Sequence, residues 1–371
     1  MKKIGLVTLY RDNFGSILQA YSTYSYVEKC GACCKIISAT YDRTIIDKIK
    51  RLPFLVIKSI RYPEFFINRM KMRKLSKLEL NLLSENTQEK MSEFVEEVFL
   101  VEKCNIDKLA KLDEEFDFFI TGSDQVWNGY NSLGFLTFTS RDKKITLAPS
   151  FGTKNVKTYY RNDVKKALNE FDFISVREES GEKIVRELTG KEAYRLPDPT
   201  LIMSKKQWRE FAQQGIQEEN YILLHFLNKP NKVAIETINS FWKKYNCRVF
   251  GICNDYEEYE ELANYQFIDI SPYDYVSLIE GAMYVFTDSF HSTLFSLNLE
   301  TQFLTFERQY LHGNSQSSRI IDLLRRVDMS ERFVEGELKF NFEEEKKWNS
   351  DSLFNTERYK IRDYLKKSIE G

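Results

Sequence analysis

The sequence predicts an α/β protein of two parallel-sheet domains facing one another across a cleft. Three observations carry this reading. Short, nearly continuous apolar runs alternate with segments whose apolar residues recur at helical spacing, the pattern of strands buried on both faces and joined by helices. The chain has 371 residues, room for two domains at roughly 150 residues each. Leu196-Pro197-Asp198-Pro199-Thr200 interrupts the alternation near its middle, and the two prolines hold the chain extended there.

Gly5 to Tyr10 reads as the first buried strand. Two lysines before an apolar run imitate a secretory leader, but the run meets Arg11-Asp12-Asn13 with no small-residue cleavage site, so a cytoplasmic location is expected. After the loop to Gly15, residues Ile17, Leu18, Tyr21, Tyr24 and Val27 keep helical spacing, and Gly31 ends that helix. Lys35 to Ala39 is the next strand and completes a βαβ opening. Phe116 to Ile120 restores the strand pattern and runs into Thr121-Gly122-Ser123-Asp124-Gln125-Val126-Trp127. Ile145 to Ala148 and Phe171 to Val176 are further strands, the second followed by Arg177-Glu178-Glu179-Ser180.

Past the prolines, Ser204 caps a helix. Strands are then expected at Tyr221–Phe226, Arg248–Ile252, Phe267–Ile270, Met283–Thr287 and Gln302–Phe306, and helices at Val233–Tyr245, Tyr273–Ala282 and His291–Leu299. The domains are expected at residues 1–200 and 201–340, with 341–371 a helical segment packing back on the first.

Composition removes several classes of function. At 42% hydrophobic and 29% charged residues the chain can build proper cores and is not disordered. Its 54 Lys and Arg against 55 Asp and Glu argue against a wholesale nucleic-acid binder. No stretch reaches the ~18 apolar residues needed to cross a bilayer. The six cysteines form no disulfide framework, and Cys30-Gly31-Ala32-Cys33 lacks the two further ligands a structural zinc needs, so no metal is expected.

Ligands of open parallel sheets bind beyond the carboxyl ends of the strands, near helix N-termini. That rule selects Asp12-Asn13-Phe14-Gly15, Gly122-Ser123-Asp124-Gln125, Arg177-Glu178-Glu179-Ser180 and Asp288-Ser289-Phe290-His291. In the last, an imidazole and a carboxylate stand between strand and helix. His291 suits a general acid or base, with Asp288 holding its ring or acting as a second acid. The same residues also fit a helix cap and a packed first turn. Arg177 and Arg319 are candidate anion clamps, guanidinium being matched to phosphate and carboxylate; ion pairs with Glu178 or Asp322 are the bland alternative. His225, inside an apolar strand, reads as a satisfied core histidine, and His312 as a loop residue.

Lys48 to Lys77 carries ten Lys or Arg and one acid, Glu64, interleaved with Leu, Phe, Ile and Tyr. It fits either a solvated helical face or a helix pair resting on an anionic membrane surface.

Taken together, Asn13-Phe14-Gly15-Ser16-Ile17-Leu18-Gln19-Ala20-Tyr21, Gly122-Ser123-Asp124-Gln125-Val126-Trp127-Asn128, Ser175-Val176-Arg177-Glu178, Leu196-Pro197-Asp198-Pro199-Thr200, Thr287-Asp288-Ser289-Phe290-His291-Ser292-Thr293 and Ser318-Arg319-Ile320 resemble, in order, the polysaccharide pyruvyl transferase family. The resemblance implies a GT-B-like fold of two Rossmann-like domains. It implies phosphoenolpyruvate as donor co-substrate, no cofactor, and an acceptor sugar of a bacterial surface polysaccharide or its lipid-linked precursor, which suits a peripheral protein at the inner face of the membrane. The first domain would hold the acceptor through Asn13, Gly15, Ser123 and Asp124. The second would hold the donor with Arg319, Ser289 and Ser292, helped by Arg177, while His291 and Asp288 do the proton chemistry. Active members carry an Arg two residues before the motif histidine; Ser289 stands there in this sequence, so another arginine must serve. A nucleotide-sugar glycosyltransferase and a non-catalytic accessory protein of glycan assembly are the alternative readings.

Overall fold

The computed structural model describes residues 1–11, 13–40, 45–70, 83–259, 262, 264–308, 317–338, 340–343 and 346–370. In the first half, β1 (Lys3–Val7), α1 (Phe14–Lys29) and β2 (Cys33–Thr40) form the expected βαβ opening. α2 (Ile45–Arg61), a further helical stretch at 63–70, and α3 (Glu85–Val98) lead to β3 (Val101–Asn105). β4 (Phe118–Thr121) and β5 (Lys144–Thr146) complete a five-stranded sheet in the order β3-β2-β1-β4-β5, every pair parallel.

α4 (Arg161–Asn169), β6 (Ser175–Val176), α5 (Glu179–Thr189) and β7 (Tyr194–Arg195) follow, β6 and β7 pairing with each other alone. The second half runs through α6 (Lys205–Ala212), β8 (Tyr221–His225), α7 (Lys232–Tyr245), β9 (Arg248–Ile252), β10 (Tyr265–Ile268), α8 (Pro272–Gly281), β11 (Tyr284–Thr287), α9 (Phe290–Leu299), β12 (Phe303–Phe306), α10 (Ser317–Arg326) and β13 (Phe333–Val334). Its parallel sheet has the order β10-β9-β8-β11-β12-β13. α11 (Ser350–Glu370) closes the chain; Lys2 Nζ donates to the Ile369 carbonyl at 2.6 Å, and Arg358 Nη2 to Asn298 Oδ1 at 2.6 Å, so this helix touches both halves.

Several expected strands are shorter or shifted. The run Phe171–Val176 pairs only at Ser175 and Val176; Phe171 and Ile174 are buried side chains of a loop that feeds the first core, since apolarity reports burial rather than pairing. β5 stops at Thr146 because Ala148 turns to φ +49°. α3, β3 and β13 have no counterpart in the sequence reading. α3 is largely polar outside, with Thr87, Met91, Phe94 and Val95 buried.

The halves meet through apolar contacts rather than across open solvent. Phe14 stacks on Tyr275 with centroids 5.0 Å apart and rings within 8°. Tyr21 leans on Phe211 at 4.8 Å, and Phe94 meets Tyr273 edge-on at 5.0 Å. One apolar core therefore runs from β1 and α1 through α6, α8 and α9 to α11.

Candidate active site

In the first sheet strand order reverses between β1 and β4, and in the second between β8 and β11. Ligand crevices of open parallel sheets form at such points. Here the loops and helices leaving β1, β4 and β11 converge. α1 starts beyond β1 with Asn13 as its cap, the side-chain oxygen accepting from Ser16 N at 2.9 Å. α9 starts beyond β11 with Ser289 as its cap, accepting from Ser292 N at 3.4 Å. Gly15 brings the two helices together: a Cβ there would stand 2.0 Å from His291 Nδ1, so only glycine allows the first turn of α1 to lie on the imidazole.

The other side of that ring faces a carboxylate. His291 Nε2 lies 3.5 Å from Asp198 Oδ2. The same oxygen accepts from Arg177 Nη1 at 2.7 Å, while Asp198 Oδ1 accepts from Thr200 N at 3.0 Å and Thr200 Oγ1 at 2.8 Å. Arg177 reaches two more carboxylates, Asp124 through Nη2 at 3.5 Å and Glu178 through Nε at 3.6 Å. Asp124 in turn accepts from Ser16 Oγ at 2.8 Å, and Glu178 from Ser150 Oγ at 2.6 Å. Arg177 and Arg319 both lie over the Phe290 ring, 5.3 and 5.4 Å from its centroid. A cavity of about 160 Å³ adjoins the cluster, its walls including Arg177, Glu178, Asp198, Phe290 and Arg319; His291 is not on its wall.

The electrostatics follow from burial and neighbours. Burial pushes the Asp198 carboxyl up, but the hydrogen bond and charge of His291, then Arg177 and the Thr200 N–H, outweigh it and hold the group well below the usual range. Asp124 is likewise raised by burial yet held low by Arg177, His291 and Arg319. Arg177 is lowered by burial and lifted further by Asp198, Asp124 and Glu178, so it stays charged. Arg319 is brought down to about 10 by burial and by the nearby charge of Arg177, and at neutral pH it remains a cation. The cluster is thus an ionised network with a buried histidine at its edge.

A family model described as polysaccharide pyruvyl transferase matches residues 13–310, from the cap of α1 past the end of β12. The chain belongs to the polysaccharide pyruvyl transferase family. That makes it a transferase of polysaccharide biosynthesis. No curated protein matches it in a sequence comparison. Among solved structures, a putative UDP-N-acetylglucosamine 2-epimerase from Listeria monocytogenes is similar over 98% of this chain and 90% of its own, at 8% identity and a TM-score of 0.50. UDP-GlcNAc 2-epimerase from Neisseria meningitidis covers 99% and 94% at 12% identity and a TM-score of 0.46. The E. coli heptosyltransferase WaaC with ADP covers 88% and 98% at 11% identity and 0.41. At such identities the likeness to the Listeria protein speaks for the fold alone: two Rossmann-like domains facing a cleft, the GT-B-like arrangement.

Against this family background, the candidate residues fall into two groups. Asn13, Gly15, Asp124, Arg177, Arg319 and His291 converge as described. Asp288 does not hold the His291 ring. Its Oδ1 accepts from Leu227 N at 2.7 Å and its Oδ2 from Asn228 N at 3.1 Å and Arg308 Nε at 3.2 Å; it ties the end of β8 to the segment after β12, because two backbone N–H groups and a guanidinium already claim both oxygens. Burial raises its carboxyl pKa, opposed by Arg308 and those N–H groups. Ser292 is fully buried and hydrogen-bonded to His225 Nδ1 and Tyr275 OH, so its side chain is internal rather than presented to a donor. Ser123 is fully buried too, its hydroxyl donating to the Ala148 carbonyl at 2.8 Å. Ser289 spends its oxygen on the helix cap. Arg177, expected as an anion clamp, is engaged by three carboxylates. His225 is buried and its pKa is pushed down to about 3, by burial first and then by Arg308 and His291, so it is a neutral core residue. His312 and the side chain of Ser318 lie outside the described residues.

Two residues escaped the sequence reading. Asp198 is the carboxylate at His291; its place between two prolines at the domain boundary concealed it, although a charged residue in that stretch was the available signal. Arg308 donates through Nη2 to the Asp288 carbonyl at 2.9 Å, beside the start of α9; it follows the last residues of β12, so the strand-end rule would have found it. Among the described residues no group of three or more His, Cys, Asp or Glu could hold a metal ion, and no helix is long and apolar enough to cross a membrane.

Proposed function

We propose that the protein transfers the pyruvyl group of phosphoenolpyruvate onto two hydroxyls of a sugar in a bacterial surface polysaccharide, or in its lipid-linked precursor, forming a ketal and releasing phosphate. The observation that carries this is the 3.5 Å approach of Asp198 to His291 in the first turn of α9, with cationic Arg319 on the cavity wall beside Asp198, in a chain of this family. The donor enters with its phosphate and carboxylate against Arg319 and Arg308, charge-assisted contacts suited to both anions. Its methylene carbon takes a proton, leaving an oxocarbenium-like centre at the neighbouring carbon. One sugar hydroxyl adds there and gives up its proton; the carbon–oxygen bond to phosphate breaks; the second hydroxyl adds and gives up its own. One of the two hydroxyl protons balances the proton taken at carbon, and the other leaves on the phosphate. His291 serves as the acid and base of these steps, and Asp198, 3.5 Å from its Nε2, orients its ring. Arg177 holds Asp198, Asp124 and Glu178 in register.

The test is phosphate release from phosphoenolpyruvate in the presence of candidate acceptors, together with thermal shift. A ligand bound by the native state alone raises the apparent melting temperature. Stabilisation by phosphoenolpyruvate that is lost in Arg319→Ala supports the reading. Stabilisation by UDP- or GDP-sugars and none by phosphoenolpyruvate overturns it in favour of a glycosyltransferase.

A further inference from the structure

We propose that the outer face of the helical pair formed by α2 and residues 63–70 docks on an anionic lipid surface. Eight of the fifteen large apolar side chains that stand exposed among the described residues lie between 52 and 70. Phe54, Ile57 and Ile60 are 61%, 64% and 76% exposed, and Leu52, Phe66 and Ile67 are each more than half exposed. Such a concentration on one surface marks an interaction site.

The pair is nevertheless fixed to the protein. Phe65 is buried edge-on against Tyr159 with centroids 5.2 Å apart. Lys58 turns inward to Asp163 at 3.2 Å and lies over the Tyr160 ring. One side is thus anchored while the other presents apolar residues.

Charge selects the occupant. Of the ten Lys or Arg at 48–77, the four at 71–77 lie outside the described residues; residues 48–70 hold six, against one acid, in a chain whose net charge is −1, and Arg61 and Arg69 are exposed beside the apolar residues. Apolar insertion flanked by cations is what the headgroup boundary of an anionic bilayer accommodates. Phe54 and Phe66 are the only aromatic rings among the eight; the other six, Leu52, Val56, Ile57, Ile60, Ile67 and Met70, offer a nucleic acid nothing to stack on but suit insertion among lipid chains. The proposal does not rest on the donor or acceptor assigned above.

Co-sedimentation of the full chain with phosphatidylcholine vesicles, with and without phosphatidylglycerol, tests it at low and high salt. Binding is expected only with phosphatidylglycerol and should fall with salt. Replacing Arg61 and Arg69 by Gln should weaken partitioning about five-fold per charge. Ile57→Asn with Ile60→Asn should abolish it, and because both positions are exposed the melting temperature should stay at the parent's value. No binding, binding indifferent to lipid charge and salt, or a lipid-free dimer dissolved by the same two substitutions would overturn the proposal.

Discussion

A methyl group on Gly15 would sit 2.0 Å from a ring nitrogen of His291, far inside van der Waals contact, so Gly15→Ala must either push α1 outward or turn the imidazole. Overpacking of this kind costs about 1–3 kcal/mol, and the variant should lose both stability and turnover. His291→Ala should keep the fold and lower turnover roughly a hundred- to ten-thousand-fold; near-full phosphate release by that variant would make His291 structural. Arg177 poses a different test. Removing it leaves the buried Asp124 and Asp198 and the half-buried Glu178 without their shared cation, a loss of about 3–5 kcal/mol. Removing Arg186 from its exposed, solvent-screened pair with Glu192 should leave the melting temperature nearly unchanged. Melting temperatures of Arg177→Met and Arg186→Met decide this. Asp198 carries the pH dependence. Its folded pKa is depressed, so its contribution is fully present above the unfolded value of about 3.9 and fades as pH falls through the lower folded value. Asp198→Asn should therefore be less stable than the parent at neutral pH, the gap narrowing below about pH 4.

Among the elements, α9 shows most plainly how local sequence places a site residue. Thr287 ends β11 with its hydroxyl donating to the His225 carbonyl and accepting from Ser289 N at 2.9 Å. Ser289 then caps the helix, and His291 is delivered into its first turn. An N-cap side chain contributes about 1 kcal/mol, so Ser289→Ala should lower the urea midpoint with an unchanged slope; a changed slope would show that the cap alters how compact the chain is. The strand-end rule selects this element, and the structure brings its histidine against Gly15 and Asp198. It erred on the partner, because Asp288 and Asp198 are equally carboxylates on paper. Only the backbone N–H groups of Leu227 and Asn228, contributed from β8, show which of them is already engaged.

For the whole molecule, the apolar seam is the governing feature. Phe94 touches Phe211 and Tyr273 of the second half as well as Phe99 of the first, so neither half keeps its packing if the other unfolds. A single calorimetric transition is expected, and Phe94→Ala should lower it by about 3–5 kcal/mol without splitting it. Two resolved transitions would mean that the halves are independent. The alternation of strands and helices made the parallel sheets legible, because a strand covered on both faces must be apolar throughout. The seam was not legible, because a residue such as Phe14 is equally apolar whether it faces its own sheet or Tyr275.

The fold class, and the strand ends after which His291, Asp124 and Arg177 stand, are written in the sequence. Period, apolarity and turn chemistry are local properties, and each is written within a few residues. The tertiary structure decided the pairings: Asp198 rather than Asp288 at the histidine, Arg177 spent on three carboxylates, Gly15 pressed on the imidazole. Those contacts join segments up to some 276 positions apart, as between Gly15 and His291 (291 minus 15). Which of several chemically equivalent side chains meets across such a span is fixed by packing geometry, and no local pattern encodes it.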